Sequence, residues 1–284
     1  MNADYALTTG HSHYVCEDYA ASGVDGKGDP FVLVSDGCSM SPFTDIGSRF
    51  VVRSAAQFLE QDDFGRLPPD FHSLVAKKAL DLTRQLSLPI GSCAPGDGST
   101  CDATLLTIRT DGKDCLINVL GDGVIVVKPK NQDRFYMYAI SYSKNRPEYI
   151  AYAAQDDRRE MYLSGTDNTK TVTSYVPVDE DRFTIYESEP AATRMQPEAV
   201  HGEFEWVGVA SDGIQSFYRM VETGGGLIQE PVPLEQVALK LFDFRGKSLT
   251  GKFVQRRMTR FLRDAAKLGW INDDDLSFGV VSFL

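Results

Sequence analysis

Hydrophobic positions recur along the chain with two periods. From Asp45 onward, Val51, Ala55, Phe58 and Leu59 fall at helical spacing until the polar run Gln61–Asp63 ends the stripe. Pro68, Pro69 and Asp70 then open a second predicted helix, whose Phe71, Val75, Ala79, Leu82 and Leu86 form one apolar face, and Pro89 stops it. A third is predicted from Thr250 to Leu268. Its apolar face is Val254, Met258, Phe261, Ala265 and Leu268, with Arg256, Arg260, Arg263 and Lys267 on another face and Gly269 as terminator. That basic face reads as solvated surface. A shorter helix is predicted over Leu234–Phe244.

Period-two and continuous apolar runs bounded by Gly and Asp predict strands over Phe31–Ser35, Ala103–Arg109, Cys115–Leu120, Val124–Lys128, Trp206–Ala210 and Phe278–Phe283. Asp111-Gly112 and Gly121-Asp122-Gly123 separate consecutive strands as hairpin turns do, so part of the sheet is expected to be antiparallel. Strands come in runs and helices follow, which favours an α+β fold. The stretch 131–200 is rich in Tyr, charge and turn residues, including Asp156-Asp157-Arg158-Arg159-Glu160 and Asp179-Glu180-Asp181-Arg182, and reads as an inserted or peripheral unit. Gly224-Gly225-Gly226 is expected to form a flexible loop.

Composition narrows the function. The chain has 284 residues, 42% of them hydrophobic, enough for a large core. Its 40 acidic against 29 basic residues give a net charge of -11, which disfavours a sequence-independent nucleic-acid binder or an anionic-membrane binder and makes a cation the better partner. No apolar stretch approaches the ~20 residues that span a bilayer, and Met1–Gly10 lacks the basic start and apolar run of a signal peptide, so the expected location is cytoplasmic. The five cysteines, Cys16, Cys38, Cys93, Cys101 and Cys115, form no C-x-x-C pair and read as reduced core residues.

The aspartates carry the candidate chemistry. Two apolar strands end alike in Ser-Asp-Gly, at Asp36-Gly37 and at Asp212-Gly213. Glu17-Asp18 precedes the first strand, Asp273-Asp274-Asp275 precedes the last, and Asp122 lies in the turn after Cys115–Leu120. A carboxylate at a strand end sits on a rigid element. Several such groups at one edge repel unless a divalent cation neutralises them, and hard oxygen ligands select Mg²⁺ or Mn²⁺ over zinc.

The order Glu-Asp, strand-Ser-Asp-Gly, Gly-Asp-Gly, strand-Ser-Asp-Gly, Asp-Asp-x-Ser resembles the metal-dependent Ser/Thr protein phosphatases of type 2C, the PPM superfamily, from about Thr9 to Leu284. Gly10-His11-Ser12-His13 followed by Cys16-Glu17-Asp18 is similar to a divergent bacterial branch of that family. The resemblance implies a single domain over 1–284, a four-layer α-β-β-α sandwich of two mainly antiparallel sheets flanked by helices, with 131–200 as a flap-like segment that shapes substrate choice. It implies two Mn²⁺ or Mg²⁺ ions and a weaker third. Asp36 would bridge the two and the Gly37 carbonyl would bind one; Glu17 would serve the second ion, Asp212 and Asp274 the first, and Asp122 the third. Asp18 would hold the attacking water. The family's usual phosphate-binding Arg is His13 here, which could donate to phosphate or protonate the leaving oxygen but is permanently charged in neither role.

The implied activity is hydrolysis of phosphoserine or phosphothreonine on proteins, opposing a Ser/Thr kinase. The rival is a pseudophosphatase that keeps the sandwich as a binding or regulatory module, favoured by the loss of the Arg. Cysteine-phosphatase chemistry is set aside because neither Cys16 nor Cys38 opens a C-x5-R loop, and both read as supporting residues beside the acidic motifs.

Overall fold

Fifteen strands and five α-helices form among the residues that the computed structural model describes, namely 1–61, 68, 70–92, 94, 97–165, 168–179, 182–187, 198–201 and 203–283. Pro69, Cys93, Glu180 and Asp181, and the end of the polar run after Gln61, lie outside the described residues. In chain order the elements are β1 (Asn2–Thr8), β2 (Tyr19–Val24), β3 (Pro30–Ser35), α1 (Thr44–Gln61), α2 (Phe71–Gln85), β4 (Leu105–Thr110), β5 (Asp114–Leu120) and β6 (Gly123–Pro129). They continue with β7 (Tyr136–Tyr142), α3 (Asp156–Ser164), β8 (Lys170–Pro177), β9 (Phe183–Glu187), β10 (Glu198–His201), β11 (Phe204–Ala210), β12 (Phe217–Thr223) and β13 (Gly226–Pro231). The last are α4 (Leu234–Leu241), α5 (Phe253–Lys267), β14 (Trp270–Asn272) and β15 (Leu276–Ser282).

A seven-stranded sheet, ordered β1-β15-β11-β6-β7-β8-β9, faces a five-stranded sheet, β10-β5-β4-β3-β2. Every strand pairing in them is antiparallel, including β3 with β4 and β11 with β15. Alternation along the strands divides the core into layers. Val32, Val34, Leu106, Ile125, Val207 and Val281 meet between the sheets. Leu33, Leu105 and their neighbours pack against Val51, Ala55, Val75 and Ala79 of α1 and α2. On the far side, Val124, Val126, Phe278 and Val280 pack against Val237, Leu241, Met258 and Phe261 of α4 and α5. The result is the α-β-β-α sandwich.

The Gly121-Asp122-Gly123 turn differs from its expected role. Asp111-Gly112 does close a hairpin, β4 pairing with β5, but β5 and β6 belong to different sheets, so Gly121–Gly123 is a crossover from one sheet to the other. Both strands contribute to the core between the sheets, yet Leu120 faces the α1/α2 layer while Val124 and Val126 face α4/α5, an arrangement that two strands paired edge to edge cannot reach. Gly123 takes φ 136°, and a Cβ there would lie 2.7 Å from the Ala210 carbonyl oxygen and from Leu106 Cδ2. The consequence is that Asp122 sits at the corner joining the sheets.

The stretch 131–200 contributes to both sheets. β7, β8 and β9 extend the seven-stranded sheet outward from β6, and β10 pairs with β5 at the edge of the other. The charged run at 156–160 opens α3, with Asp156 and Asp157 in its first turn where the helix dipole favours them. Arg158 turns inward and makes a bidentate pair with Asp102, both contacts at 2.7 Å. The three glycines at 224–226 form no loose loop: they close the β12–β13 hairpin, where Thr223 pairs with Gly226.

Candidate metal centre

Each candidate acidic residue occupies the same end of the sandwich because the strand directions alternate. Asp36 follows the C-terminal end of β3 and Asp212 that of β11, while Asp18 precedes β2, Asp274 precedes β15 and Asp122 lies at the β5–β6 crossover. Strand-end placement therefore brings carboxylates together from both sheets. Oxygens of Asp36, Asp122 and Asp212 lie within 4.8 Å of one another. Asp18 is 1% exposed and adjoins them, its Oδ2 accepting a 2.6 Å hydrogen bond from the Ser211 hydroxyl. Asp274 lies at the more open margin, close enough that its charge acts on both Asp212 and Asp122.

The serines of the two Ser-Asp-Gly motifs are part of the architecture. The Ser35 hydroxyl donates to the Thr104 carbonyl at 2.6 Å, while the Asp36 N–H donates to Thr104 Oγ1 at 3.0 Å, which ties β3 to the start of β4. The Ser211 hydroxyl, besides holding Asp18, accepts from the Ser277 N–H at 3.0 Å. Gly37 lets other parts of the chain pack close: a Cβ there would lie 2.9 Å from the Glu17 carbonyl oxygen and 2.8 Å from Thr44 Cβ.

Glu17 and His13 form a second group with Asp275, their ligand atoms again within 4.8 Å. Glu17 Oε1 is 3.3 Å from the Thr44 hydroxyl. His13 places Nδ1 3.0 Å from Asp275 Oδ2 and Nε2 3.5 Å from Asp274 Oδ1. Burial alone would lower the His13 pKa, but the hydrogen bond to Asp275 and the charges of Asp275, Asp274 and Glu17 outweigh it and raise it above the ordinary value. The imidazolium form thus persists to higher pH than in a free histidine, in the direction of the positive charge that Arg would carry. Sequence reasoning assigned no role to Asp275. It is 2% exposed, and its two oxygens accept the N–H groups of Gly10 at 2.8 Å and Glu17 at 2.5 Å, so it pins the His13–Glu17 loop to β15. The acidic run at 273–275 signalled this position without separating its members.

The donor set fits a hard divalent cation. Asp18 Oδ1, Asp122 Oδ1 and Glu17 Oε2 are buried with no hydrogen-bond partner among the described residues. Carboxylates left so are costly unless something positive meets them. Burial and then neighbouring negative charge push Asp122 up to about 8 and Asp212 to about 6, and burial brings Asp18 to about 7. Asp36 is raised well above the ordinary range by burial and by the charges of Asp212 and Asp18. Cys16, beside Glu17, is pushed up to about 12 by burial, which leaves it an inert thiol.

These shifts give a sign for pH dependence. A folded-state pKa above the unfolded value means that the folded chain binds more protons, so stability present at low pH is lost as pH rises through the window from about 4 to about 8. Mn²⁺ or Mg²⁺ would compete for the deprotonated oxygens. The melting temperature of metal-free protein should therefore fall by several degrees between about pH 6.5 and 8, and the rise on adding Mn²⁺ should be larger at the higher pH. His72, whose pKa burial lowers to about 4, acts in the opposite sense but below this range. A metal-induced shift that ignored pH would contradict the assignment of these carboxylates.

A family profile described as protein phosphatase 2C matches residues 9–263. Among solved structures, the S. agalactiae serine/threonine phosphatase shares 13% identity and a TM-score of 0.53, covering 98% of each chain. The Mycobacterium tuberculosis serine/threonine phosphatase shares 14% identity with a TM-score of 0.51, over 99% of this chain and 97% of that one. A bacterial serine phosphatase aligns with 11% identity and a TM-score of 0.52, over 100% and 98%. At these identities the likeness is one of fold. No curated protein matches the chain.

Proposed function

Since the chain belongs to the protein phosphatase 2C family, we propose that it hydrolyses phosphoserine or phosphothreonine in proteins, using two Mn²⁺ or Mg²⁺ ions held by Asp36, Asp212, Asp274, Glu17 and the Gly37 carbonyl, with Asp122 serving a weaker third. The observation that carries the reading is the meeting of Asp36, Asp122 and Asp212 from both sheets at one sandwich end, with buried oxygens of Asp122, Asp18 and Glu17 that have no hydrogen-bond partner among the described residues. Divalent cations supply Lewis-acid stabilisation of the phosphoryl oxygens and activate water for in-line attack.

The chain's own groups do the rest. Ser211 fixes Asp18 through Oδ2 and leaves Oδ1 to accept a hydrogen bond from the attacking water. His13, held between Asp274 and Asp275, supplies a positive N–H to the phosphate or to the departing Ser/Thr oxygen. The whole of 1–284 acts as one domain, and the strands and helix within 131–200 shape the substrate approach. The physiological setting is that of a cytoplasmic enzyme opposing a Ser/Thr kinase; no described helix is long and apolar enough to cross a membrane.

The test is release of phosphate from a phosphoserine peptide with Mn²⁺, in excess chelator, and after Mn²⁺ is restored. Turnover should vanish with chelation and return with the metal. Turnover that persists in chelator contradicts the metal reading, and Mn²⁺ binding without turnover identifies a pseudophosphatase.

A further inference from the structure

The C-terminal helices carry a charge distribution opposite to that of the rest of the chain. Residues 240–267 hold nine of the 29 lysines and arginines but two of the 40 aspartates and glutamates, Asp243 and Asp264, in a protein of net charge -11. The sequence alone gives no reason to read α5 as more than a solvated basic face. The structure adds a groove of about 520 Å³ between α4 and α5, whose lining includes Lys240, Arg245 and Arg257 together with Asp243 and Asp264.

Arg257 sits in the wall of that groove. It is 7% exposed, its Nε has no hydrogen-bond partner among the described residues, and its Nη1 reaches the Asp243 carbonyl at the long distance of 3.5 Å. Burial lowers its pKa, and the charges of Arg260 and Arg263 add to that shift against the opposing pull of Asp243 and Asp264. The two acids are shared: Asp243 pairs with Arg245 at 2.9 Å, and Asp264 with Lys267 at 3.4 Å. A buried guanidinium with an unmade hydrogen bond and like-charged neighbours is stabilised by a further anion, which it can meet with directed, charge-assisted hydrogen bonds. Arg256, Arg263 and Lys267 continue the basic surface along the exposed side of α5.

We propose that the α4–α5 groove and the basic face of α5 bind an acidic segment of a partner protein, with one of its anionic side chains seated against Arg257. Charge complementarity selects the partner's sign, and three observations select its class. The apolar residues of α5, Val254, Met258, Phe261 and Ala265, are turned into the core, and only the small Ala266 and, just past the helix end, Leu268 are exposed apolar residues there, so a membrane finds little to insert. The acidic remainder of the chain repels a polyanion long enough to run past the patch, as a nucleic acid would. A short acidic stretch of polypeptide lies within the length of one helix of 15 residues, about 22 Å. The site shares no residue with the aspartate cluster, so it stands or falls independently of the metal reading.

The experiment is fluorescence anisotropy of a labelled oligoglutamate peptide titrated with the full chain, in buffer without divalent cations so that turnover plays no part. Wild-type protein should bind, more weakly as salt rises. The surface variant Arg260→Glu/Arg263→Glu should lose about tenfold or more in affinity, with an unchanged circular dichroism spectrum and unchanged Mn²⁺-dependent hydrolysis of nitrophenyl phosphate. Arg257→Met should lose binding while keeping its melting temperature, since it removes a buried charge that lacks a full set of partners. Failure of wild type to bind, or equal affinity in the charge-reversed variant, overturns the proposal. Tighter binding to phosphatidylserine vesicles or to single-stranded RNA than to the peptide overturns the class of partner.

Discussion

Asp36→Asn is expected to lower turnover on a phosphoserine peptide by about 10²–10³-fold, the range seen when one preorganised electrostatic group is removed from an active site. The same substitution should raise the melting temperature of the metal-free protein near pH 8. Both effects have one cause. Asp36 shares its site with Asp122 and Asp212, and burial with their negative charge holds its carboxyl pKa well above the ordinary range. The metal-free fold is therefore strained by like charge, and Asn relieves the strain while removing a carboxylate proposed to hold the cations. A residue kept for packing would show the reverse pattern, with lost stability and retained rate. Kinetics and thermal unfolding on the same preparation distinguish the two, and a variant with near wild-type turnover would remove Asp36 from the centre.

The second large effect is structural. Arg158→Met should cost about 3–5 kcal/mol, because it strips a buried carboxylate of its bidentate partner, and should lower the melting temperature by on the order of 10 °C. Arg158 and Asp102 are 9% and 3% exposed. Asp102 also accepts from the Ser41 hydroxyl and the Ser99 N–H, both at 2.8 Å, and its carbonyl accepts from the Cys38 N–H at 2.8 Å. The pair therefore fastens α3 to the loop that follows Asp36-Gly37. Part of the loss should appear as reduced kcat, since that loop supports the cluster. Thermal unfolding of Arg158→Met beside the surface control Arg182→Met, whose partner Asp179 is exposed, checks the claim: equal small losses would mean that the buried pair contributes no more than a surface one.

How much of this was legible in the sequence depends on whether the signal was local. Helices α1, α2 and α5 follow from their own stripes, and the core strands from β-branched runs that end in Asp-Gly. β1 and β2 escaped because Ala, Ser, Gly and Asn weaken their intrinsic preference; their strand form is supplied by partners, β1 pairing with β15 from Asn2↔Ser282 to Thr8↔Leu276. The 131–200 stretch looked separate because its strands lie toward the outer ends of the two sheets, where β8 and β9 are partly exposed and polar. Gly121–Gly123 looked like a hairpin because turn chemistry is the same whether the next strand pairs with its predecessor or crosses to another sheet.

The candidate site divides in the same way. Asp36, Asp122, Asp212 and Asp274 were legible because each closes or opens a strand and their order along the chain repeats one family pattern. Asp275 and the Arg158–Asp102 pair were not, because their partners lie far off in the chain: Gly10 and Glu17 for the first, and residues 56 apart for the second. The first joins two loops and the second joins α3 to a loop, and no period records either. Arg257 was hidden for another reason. It lay among arginines of one helix, and its burial depends on α4 and the loop that follows it.

The proposed activity depends on divalent cations held by this aspartate cluster, and its most direct test is the number of Mn²⁺ ions bound at equilibrium, measured by titration calorimetry on metal-free wild-type protein and on Asp36→Asn. Two tightly bound ions in the wild type, with at least one lost in the variant, is the predicted result. No Mn²⁺ binding by a folded wild-type protein, or the same number of ions bound with the same affinity after Asp36 is replaced, would contradict it.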